Sequence, residues 1–329
     1  MKKKCLLLAL AVVMALALAA CGGETTEQTG ETGTETSGET IKVGFSQMSN
    51  DTAFKIAETE SVREEVEKRG WELVFTDAQW KMDKQVSDIE DLITQGVDYI
   101  LLAPNDYEGY ETALASAKEA GIPVILLDRE ANGTPGEDFV TCITSDFIWE
   151  GEACGKWLQE RKDEKGGKMR IVEVAGTPGA SVTRDRAQGL RNIVEADPDM
   201  EIISSQVGDY DRATAEQVTT NVIQSTGGEF DAIYCHDDEM AMGVINALKA
   251  AGIQPTEDVY VLGIDGTQNA KTSIENGELS AVVTCTPRLG ALACEVIEKL
   301  MNGEEVPTQT YVEDTLYDAS NIAEYTDAF

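Results

Sequence analysis

The sequence predicts an α/β protein with two doubly wound parallel-sheet lobes. From residue 41 onward, short continuous apolar runs alternate with segments whose apolar residues recur at helical spacing. Runs that are apolar on both faces are typical of parallel strands covered by helices on both sides. The same order restarts about 130 residues later, and the fourth strand of each unit ends in an aspartate, Asp128 or Asp265.

The first unit contains four predicted strands joined by three predicted helices. The strands are 41–45, 71–76, 97–102 and 122–127, and the helices are 51–69, 82–95 and 107–120. In the second helix, the apolar residues Val86, Ile89 and Leu92 fall on one face, as an amphipathic helix requires. A glycine follows each helix, and glycine is a common helix end signal.

The second unit repeats this pattern. Its predicted strands are 169–175, 201–207, 230–235 and 259–264, and its predicted helices are 180–196, 212–225 and 238–251. In doubly wound sheets, ligands bind at the carboxyl ends of the strands. A site between two such lobes would therefore draw on the strand ends of both.

The amino-terminal segment predicts export and anchoring. Lysines at 2–4 precede an apolar run over 6–20, which is shorter than the roughly 20 residues of a spanning helix and fits a cleaved signal. Leu18-Ala19-Ala20-Cys21 resembles the lipobox of bacterial lipoproteins, which implies a signal peptide over 1–20 and lipidation of Cys21. An ordinary signal peptide with a chance cysteine is the alternative. Residues 21–40, rich in Gly, Glu and Thr, predict a disordered linker.

Composition excludes several classes of partner. The chain has 60 acidic residues against 26 Lys and Arg, for a net charge of −34 at pH 7. This balance argues against nucleic acid, whose phosphates require basic side chains, and against direct contact with anionic lipid. Five cysteines remain beyond Cys21 (Cys142, Cys154, Cys235, Cys285 and Cys294). We interpret them as buried free thiols, with one disulfide bond between two of them as the alternative. With one histidine, neither a metal nor a cofactor is predicted.

Polar residues at the predicted strand ends indicate a carbohydrate site. Sugar hydroxyls donate to carboxylates and accept from guanidinium groups, and an aromatic ring covers the C–H face of the sugar. The strand-end residues of this kind are Ser46, Gln47, Asp128, Arg129, Asp209, Tyr210, His236, Asp237, Asp238 and Asp265, together with the loop 176–186.

The motifs, taken in order, resemble those of the type I periplasmic sugar-binding proteins. They include Gly44-Phe45-Ser46-Gln47, Leu127-Asp128-Arg129, Gly179-Ala180-Ser181, His236-Asp237-Asp238 and Ile264-Asp265-Gly266, and together they cover nearly all of 41–329. Within this family the likeness is greatest to galactofuranose-binding proteins and more distant to ribose-binding proteins. The resemblance implies a solute-binding lipoprotein that serves the permease and ATPase subunits of an ABC importer.

The resemblance also assigns ligand contacts. Asp128 and Arg129 match the family's Asp-Arg pair that binds ring hydroxyls, and Tyr210 matches an aromatic beneath the sugar. Arg186 matches the arginine of the carboxyl-terminal lobe, and Asp265 matches the aspartate after the last strand of the second unit. Phe54 and Lys55 stand where the galactofuranose binder has Trp-Arg, Asp237 stands where relatives carry Asn, and Cys285 stands at a hinge position that is Gln or Glu in relatives. Ser46 and Asn50 complete the predicted set. The alternative interpretations are a solvated strand-end ion pair for Asp128 and Arg129, a surface ion pair for Arg186, and packing for Tyr210 and Phe54. Trp80, Trp149 and Trp157 are assigned to packing, and His236 to a structural role.

The resemblance further implies closure of the lobes about a hinge of three segments, near residues 146, 285 and 314. The predicted lobes are 41–146 plus 286–313, and 147–285 plus 314–329. A monomer is expected, held outside the cytoplasmic membrane by lipid alone. We expect Asp128→Ala or Arg186→Ala to abolish binding while leaving the melting of the empty protein nearly unchanged.

The sequence does not favour an enzyme. The Gly176-Thr177-Pro178-Gly179 stretch lacks the spacing of a dinucleotide site, and no nucleophile setting is evident. The ring form and identity of the sugar stay open, with a furanose aldose favoured over a pyranose, a pentose or a polyol. A sensing role through a membrane receptor or kinase is the alternative to import.

Overall fold

The structure is a computed structural model that describes residues 40–329 as one compact unit. The predicted signal peptide, the lipidated Cys21 and the linker lie outside the described residues, apart from Thr40 at the end of the linker.

Twelve strands and nine α-helices are present in the described residues. The strands are β1 (Lys42–Gln47), β2 (Glu72–Asp77), β3 (Tyr99–Ala103), β4 (Val124–Leu127), β5 (Thr141–Ser145), β6 (Met169–Ala175), β7 (Met200–Val207), β8 (Ala232–Cys235), β9 (Tyr260–Asp265), β10 (Ala281–Thr284), β11 (Gln309–Val312) and β12 (Leu316–Asp318). The helices are α1 (Ala53–Lys68), α2 (Met82–Thr94), α3 (Glu111–Ala120), α4 (Phe147–Arg161), α5 (Ser181–Val194), α6 (Arg212–Thr226), α7 (Asp238–Ala250), α8 (Gln268–Glu275) and α9 (Gly290–Met301).

Within residues 40–329, the strands form two six-stranded sheets with matching order. One runs β11-β5-β4-β3-β1-β2 and the other β12-β10-β9-β8-β6-β7. Neighbouring strands are parallel, except that β12 is antiparallel to β10. The predicted pair of doubly wound lobes, with its internal repeat, is therefore confirmed.

Both faces of each sheet are buried, as the continuous apolar strands predict. Leu101 and Leu102 are neighbours in β3 and fully buried, yet they belong to hydrophobic clusters on opposite faces of the first sheet. In the second sheet, the neighbours Val261 and Leu262 of β9 likewise belong to hydrophobic clusters on opposite faces. Each lobe is thus a sheet between two layers of helices.

The described chain crosses between the lobes three times, which confirms the predicted hinge. The crossings lie between β5 and α4, between β10 and α9, and between β11 and β12. Residues Phe147 and Leu158 of α4 pack into the second lobe, whereas Val296 and Ile297 of α9 pack into the first. The edge strands β11 and β12 come from one short carboxyl-terminal segment.

Two glycines bring α4 and α5 into close contact. A Cβ added at Gly151 of α4 would lie closer than 3.0 Å to the backbone carbonyl oxygen of Arg186, and one at Gly189 would lie equally close to the carbonyl oxygen of Ile148. Because no side chain intervenes, α4 lies directly against α5. This contact places Glu150 beside Arg186.

Candidate functional site

A cavity lies between the carboxyl ends of the two sheets. Its empty space, including the part open to solvent, is about 600 Å³, within the usual range for small-molecule sites. The lining residues are Thr52, Ala53, Phe54, Lys55, Trp80, Asp128, Arg129, Val182, Arg186, Tyr210, Asp237, Glu239, Asp265, Thr267 and Cys285. Eight of the ten predicted ligand residues are among them.

The wall from the first lobe is built around Asp128. This residue follows β4 with a left-handed φ of 63°, and its carboxylate forms an ion pair with Lys55 of α1. Lys55 also contacts Glu58, with a distance of 3.2 Å from Nζ to Oε2. Burial alone would raise the pKa of Asp128, but Lys55 and Arg129 outweigh it, and the pKa of Asp128 is lowered. Asp128 is therefore a charged hydrogen-bond acceptor facing the cavity.

Arg129 presents donors to the same space. Its Nη1 donates to the backbone carbonyl of Asn105 at 3.1 Å, and its Nε is buried without a hydrogen-bond partner among the described residues. The guanidinium carbon lies 5.4 Å from the ring centre of Tyr210 in the other lobe. A buried, unsatisfied donor costs stability, so this Nε is suited to a ligand oxygen.

Arg186 organises the wall from the second lobe. It is 3% exposed, which rules out the surface ion pair considered as the alternative. Its Nε donates to Glu150 at 2.7 Å, its Nη1 donates to the carbonyl of His236 at 2.6 Å, and its Nη2 lies 3.7 Å from Asp265. These contacts hold the guanidinium group with one edge towards the cavity.

Two further aspartates face Arg186 from the second lobe. Asp237 caps α7 by accepting from the backbone N–H of Met240 at 2.8 Å, and burial raises the pKa of Asp237 to about 7. Burial also raises the pKa of Asp265 well above its usual value, although Arg186 opposes this. In contrast to Asp128, burial shifts both carboxyl groups towards the protonated form, and a protonated carboxyl group can donate as well as accept.

Aromatic rings line the cavity from both lobes. The Tyr210 hydroxyl lies 3.0 Å from the hydroxyl of Thr183, and Phe54 makes an edge contact with Phe329, with ring centres 5.8 Å apart. Trp80 also lines the cavity, so its assignment to packing is wrong. Trp157 is 7% exposed and packs as expected, whereas Trp149 is 38% exposed.

Two predicted residues lie outside the cavity wall. Ser46 is fully buried in β1, and its hydroxyl has no hydrogen-bond partner within residues 40–329. Asn50 is half-buried, and its side-chain oxygen also has no partner in that range. Neither is among the lining residues, and their role in binding stays a prediction.

His236 and Cys285 lie beside the site as buried residues. Nδ1 of His236 accepts from the backbone N–H of Gly176 at 3.3 Å, and Nε2 lies 3.2 Å from Glu173, as expected of a structural histidine. Cys285 lines the cavity at the hinge, where the Ser145 hydroxyl lies 3.5 Å from its sulfur. The five cysteines of the described residues are buried and free.

The two lobes touch around the cavity, so the structure is a closed form. The backbone N–H of Glu130 in the first lobe donates to the Ser181 hydroxyl of the second at 3.1 Å. The N–H of Tyr107 donates to the carbonyl of Gly179 at 3.3 Å. The site is therefore assembled by closure and has contributions from both lobes.

Comparison with known proteins identifies the class to which this fold and site belong. A family model described as periplasmic binding protein domain matches residues 43–305, and the chain belongs to that family. It is 36% identical over 280 residues to the galactofuranose-binding protein YtfQ of Escherichia coli (strain K12), covering 84% of this chain and 87% of that protein. It is 35% identical over 265 residues to the ribose import binding protein RbsB of Bacillus subtilis (strain 168), covering 80% and 83%.

Solved structures similar to this chain are also sugar-binding proteins. A crystal structure of a galactofuranose binding protein superposes with a TM-score of 0.82 at 34% identity, covering 86% of this chain and 96% of that one. The arabinose transporter component of Shewanella sp. ANA-3, bound to L-arabinofuranose, gives a TM-score of 0.82 at 32% identity, covering 86% and 94%. The relatives are thus binding proteins for sugars. Within residues 40–329, no helix is long and apolar enough to cross a membrane, and no group of side chains is arranged to hold a metal ion.

Proposed function

We propose that this protein captures a monosaccharide in the cleft between its lobes and delivers it to the permease and ATPase of an ABC importer. The observation that carries the proposal is the closed cavity with polar and charged groups from both lobes, Asp128 and Arg129 on one side and Arg186 and Asp265 on the other. A furanose aldose such as galactofuranose is favoured, since galactofuranose and arabinofuranose binders are among the similar proteins.

The arrangement suits a neutral polyhydroxylated ligand. Ionised Asp128 accepts from hydroxyl groups, Arg129 Nε and Arg186 Nη2 donate to them, and a ring face of Tyr210 covers C–H groups. Hydrogen bonds to charged groups are worth about 1.5–3 kcal/mol each, whereas micromolar affinity requires about −8 kcal/mol net. A few such contacts suffice after ordering costs. Since each lobe supplies part of the set, the ligand stabilises the closed form that the permease recognises.

The remaining parts of the proposal concern location and class. The protein acts outside the cytoplasmic membrane as a monomer, anchored only by lipid on Cys21. It binds its sugar without converting it. This part of the proposal is supported by the similar proteins, which are named as binding proteins.

A thermal-shift screen of residues 40–329 against a monosaccharide panel tests the proposal. Asp128→Asn should lower the apparent affinity for the best sugar, as measured by thermal shift, by at least tenfold. Asp88→Asn is a matched control, because Asp88 is 8% exposed against 7% for Asp128 and also pairs with a lysine, Lys84, at 2.7 Å. Equal affinity in Asp128→Asn and wild type, or no shift with any sugar, would refute the proposal.

A further inference from the structure

The two lobes carry equivalent turns after their second strands, and each turn holds an aromatic residue. Ala78 donates its N–H to the carbonyl of Gln47 at the end of β1 at 2.9 Å, and Gly208 donates to Ala175 at the end of β6 at 2.7 Å. Gln79 and Trp80 have φ of 56° and 60°, and Asp209 and Tyr210 have φ of 58° and 55°. Trp80 is therefore the counterpart of Tyr210 in the internal repeat.

The hydrogen bonds that follow establish this register. Lys81 donates its N–H to the carbonyl of Ala78 at 3.0 Å, and Asp211 donates to Gly208 at 3.0 Å. The helices α2 and α6 begin at the next residue, Met82 and Arg212. Consecutive non-glycine residues with positive φ are uncommon, so this shared conformation is not a general property of strand ends.

The two turns differ at one position, the residue that follows the first strand of each lobe. In the second lobe the residue after β6 is Gly176, and a Cβ there would lie closer than 3.0 Å to the ring of Tyr210. The missing side chain allows Tyr210 to fold inward. In the first lobe the residue after β1 is Met48, which is fully buried. Trp80 remains 37% exposed and lines the cavity.

The indole N–H of Trp80 is already engaged. It lies 3.0 Å from both carboxylate oxygens of Asp51, and Asp51 also accepts from the hydroxyl of Ser49 at 2.9 Å. The ring is thus anchored beside the first turn of α1, where Thr52 and Ala53 also line the cavity. Since its one polar atom is occupied, Trp80 can offer a ligand only its apolar surface.

We propose that Trp80 is a ligand-contacting, specificity-determining residue that covers the outward-facing end of the bound sugar. It favours sugars that present C–H groups rather than a hydroxyl at that end. The inference rests on the proposed function and deepens it by assigning a substrate preference to this chain. Tyr210 and Trp80 then cover the inner and outer parts of one ligand from the two lobes.

The experiment measures binding of D-galactose and D-fucose, which differ by one terminal hydroxyl, together with L-arabinose and D-ribose, by calorimetry. Trp80→Ala should weaken binding of the best sugar by about tenfold, as loss of one well-packed apolar contact does, and should weaken D-fucose more than D-galactose. Trp80→Phe should lose less than threefold. Trp149→Ala is the control, because Trp149 is equally exposed at 38% but lies outside the cavity lining.

A second readout does not depend on affinity. Binding should change tryptophan emission in wild type and in Trp149→Phe, and the change should largely disappear in Trp80→Phe. Four outcomes overturn the inference: a loss below threefold in Trp80→Ala, an equal loss in Trp149→Ala, equal factors for the two hexoses, or an undiminished emission change in Trp80→Phe. If wild type binds no sugar in the panel, the proposed function fails and this inference falls with it. If wild type binds and Trp80→Ala matches it, only the inference fails.

Discussion

Replacing Arg186 by alanine should destabilise the empty protein as well as impair binding. The arginine is 3% exposed, and its Nε donates to Glu150, which is fully buried. Without Arg186, the described residues leave Glu150 as a buried carboxylate with no cationic partner. The expectation from sequence that Arg186→Ala leaves the empty protein's melting nearly unchanged is therefore revised by the geometry.

The size of the effect follows from the burial of this pair. Removing one partner of a buried ion pair typically costs about 3–5 kcal/mol, and at roughly 2–3 °C per kcal/mol for a chain of this size the melting temperature should fall by about 6–15 °C at pH 7. Burial already raises the pKa of Glu150 with Arg186 present, and removal of Arg186 raises it further. The part of the destabilisation that comes from ionised Glu150 should therefore be absent below about pH 4 and grow as the pH rises.

A double-mutant cycle separates the pair from its surroundings. Arg186→Ala combined with Glu150→Gln leaves neither charge buried, so the double variant should recover at least half of the loss seen in Arg186→Ala alone. Calorimetry of residues 40–329 between pH 4 and pH 8 measures each variant without ligand. A melting temperature of Arg186→Ala within about 2 °C of wild type at pH 7 would refute the reasoning, as would strict additivity of the two single substitutions.

Two further predictions concern the second lobe. Because the pKa of Asp237 is raised to about 7, wild type should lose stability as the pH rises from about 4 to about 7, by up to about 4 kcal/mol. Asp237→Asn should flatten this loss and melt higher at pH 8, and superimposable pH profiles would contradict it. Gly151→Ala should destabilise by about 1–3 kcal/mol in urea denaturation, because the new methyl group meets the carbonyl oxygen of Arg186. Gly155→Ala should cost less, because it meets the Ile193 side chain, and equal costs would argue against this packing.

The sequence predicts much of the fold because the strands of a doubly wound sheet are short, apolar and separated by regular helices. The strand predicted over 169–175 coincides with β6, and Gly121 ends α3 in a left-handed conformation, as its position indicates. The predicted helix over 107–120 begins only at Glu111, because 107–109 form bends and the N–H of Tyr107 donates to the carbonyl of Gly179 in the other lobe. The regular strands and helices of each lobe can thus be predicted from local sequence patterns.

The elements that were not predicted depend on tertiary contacts. Helix α4 contains Gly151 and Gly155, and each glycine costs about 1 kcal/mol of helix propensity. These glycines are explained by the approach of α5, which the local sequence does not reveal. The short strands β11 and β12, of four and three residues, exist because each sheet offers an edge to pair with.

The candidate site likewise contains residues that the sequence locates and one that it does not. The rule that ligands bind at strand ends locates Asp128, Arg186 and Asp265 without knowledge of the structure. The sequence does not reveal that Trp80 lines the cavity, because the direction of its side chain depends on tertiary contacts such as that of its indole N–H with Asp51. Aligning the two halves of the chain on their second strands pairs Trp80 with Tyr210, and this signal was present in the sequence.

The carboxyl-terminal segment that supplies β11 and β12 also bears on how the chain reaches its native state. Neither half can complete its sheet until residues beyond 308 are available, since one edge of each comes from Gln309–Val312 and Leu316–Asp318. Pairings between β11 and β5, and between β12 and β10, span long stretches of chain, and such non-local contacts form slowly. A polypeptide emerging from the ribosome would therefore stay incompletely folded until its synthesis is almost finished.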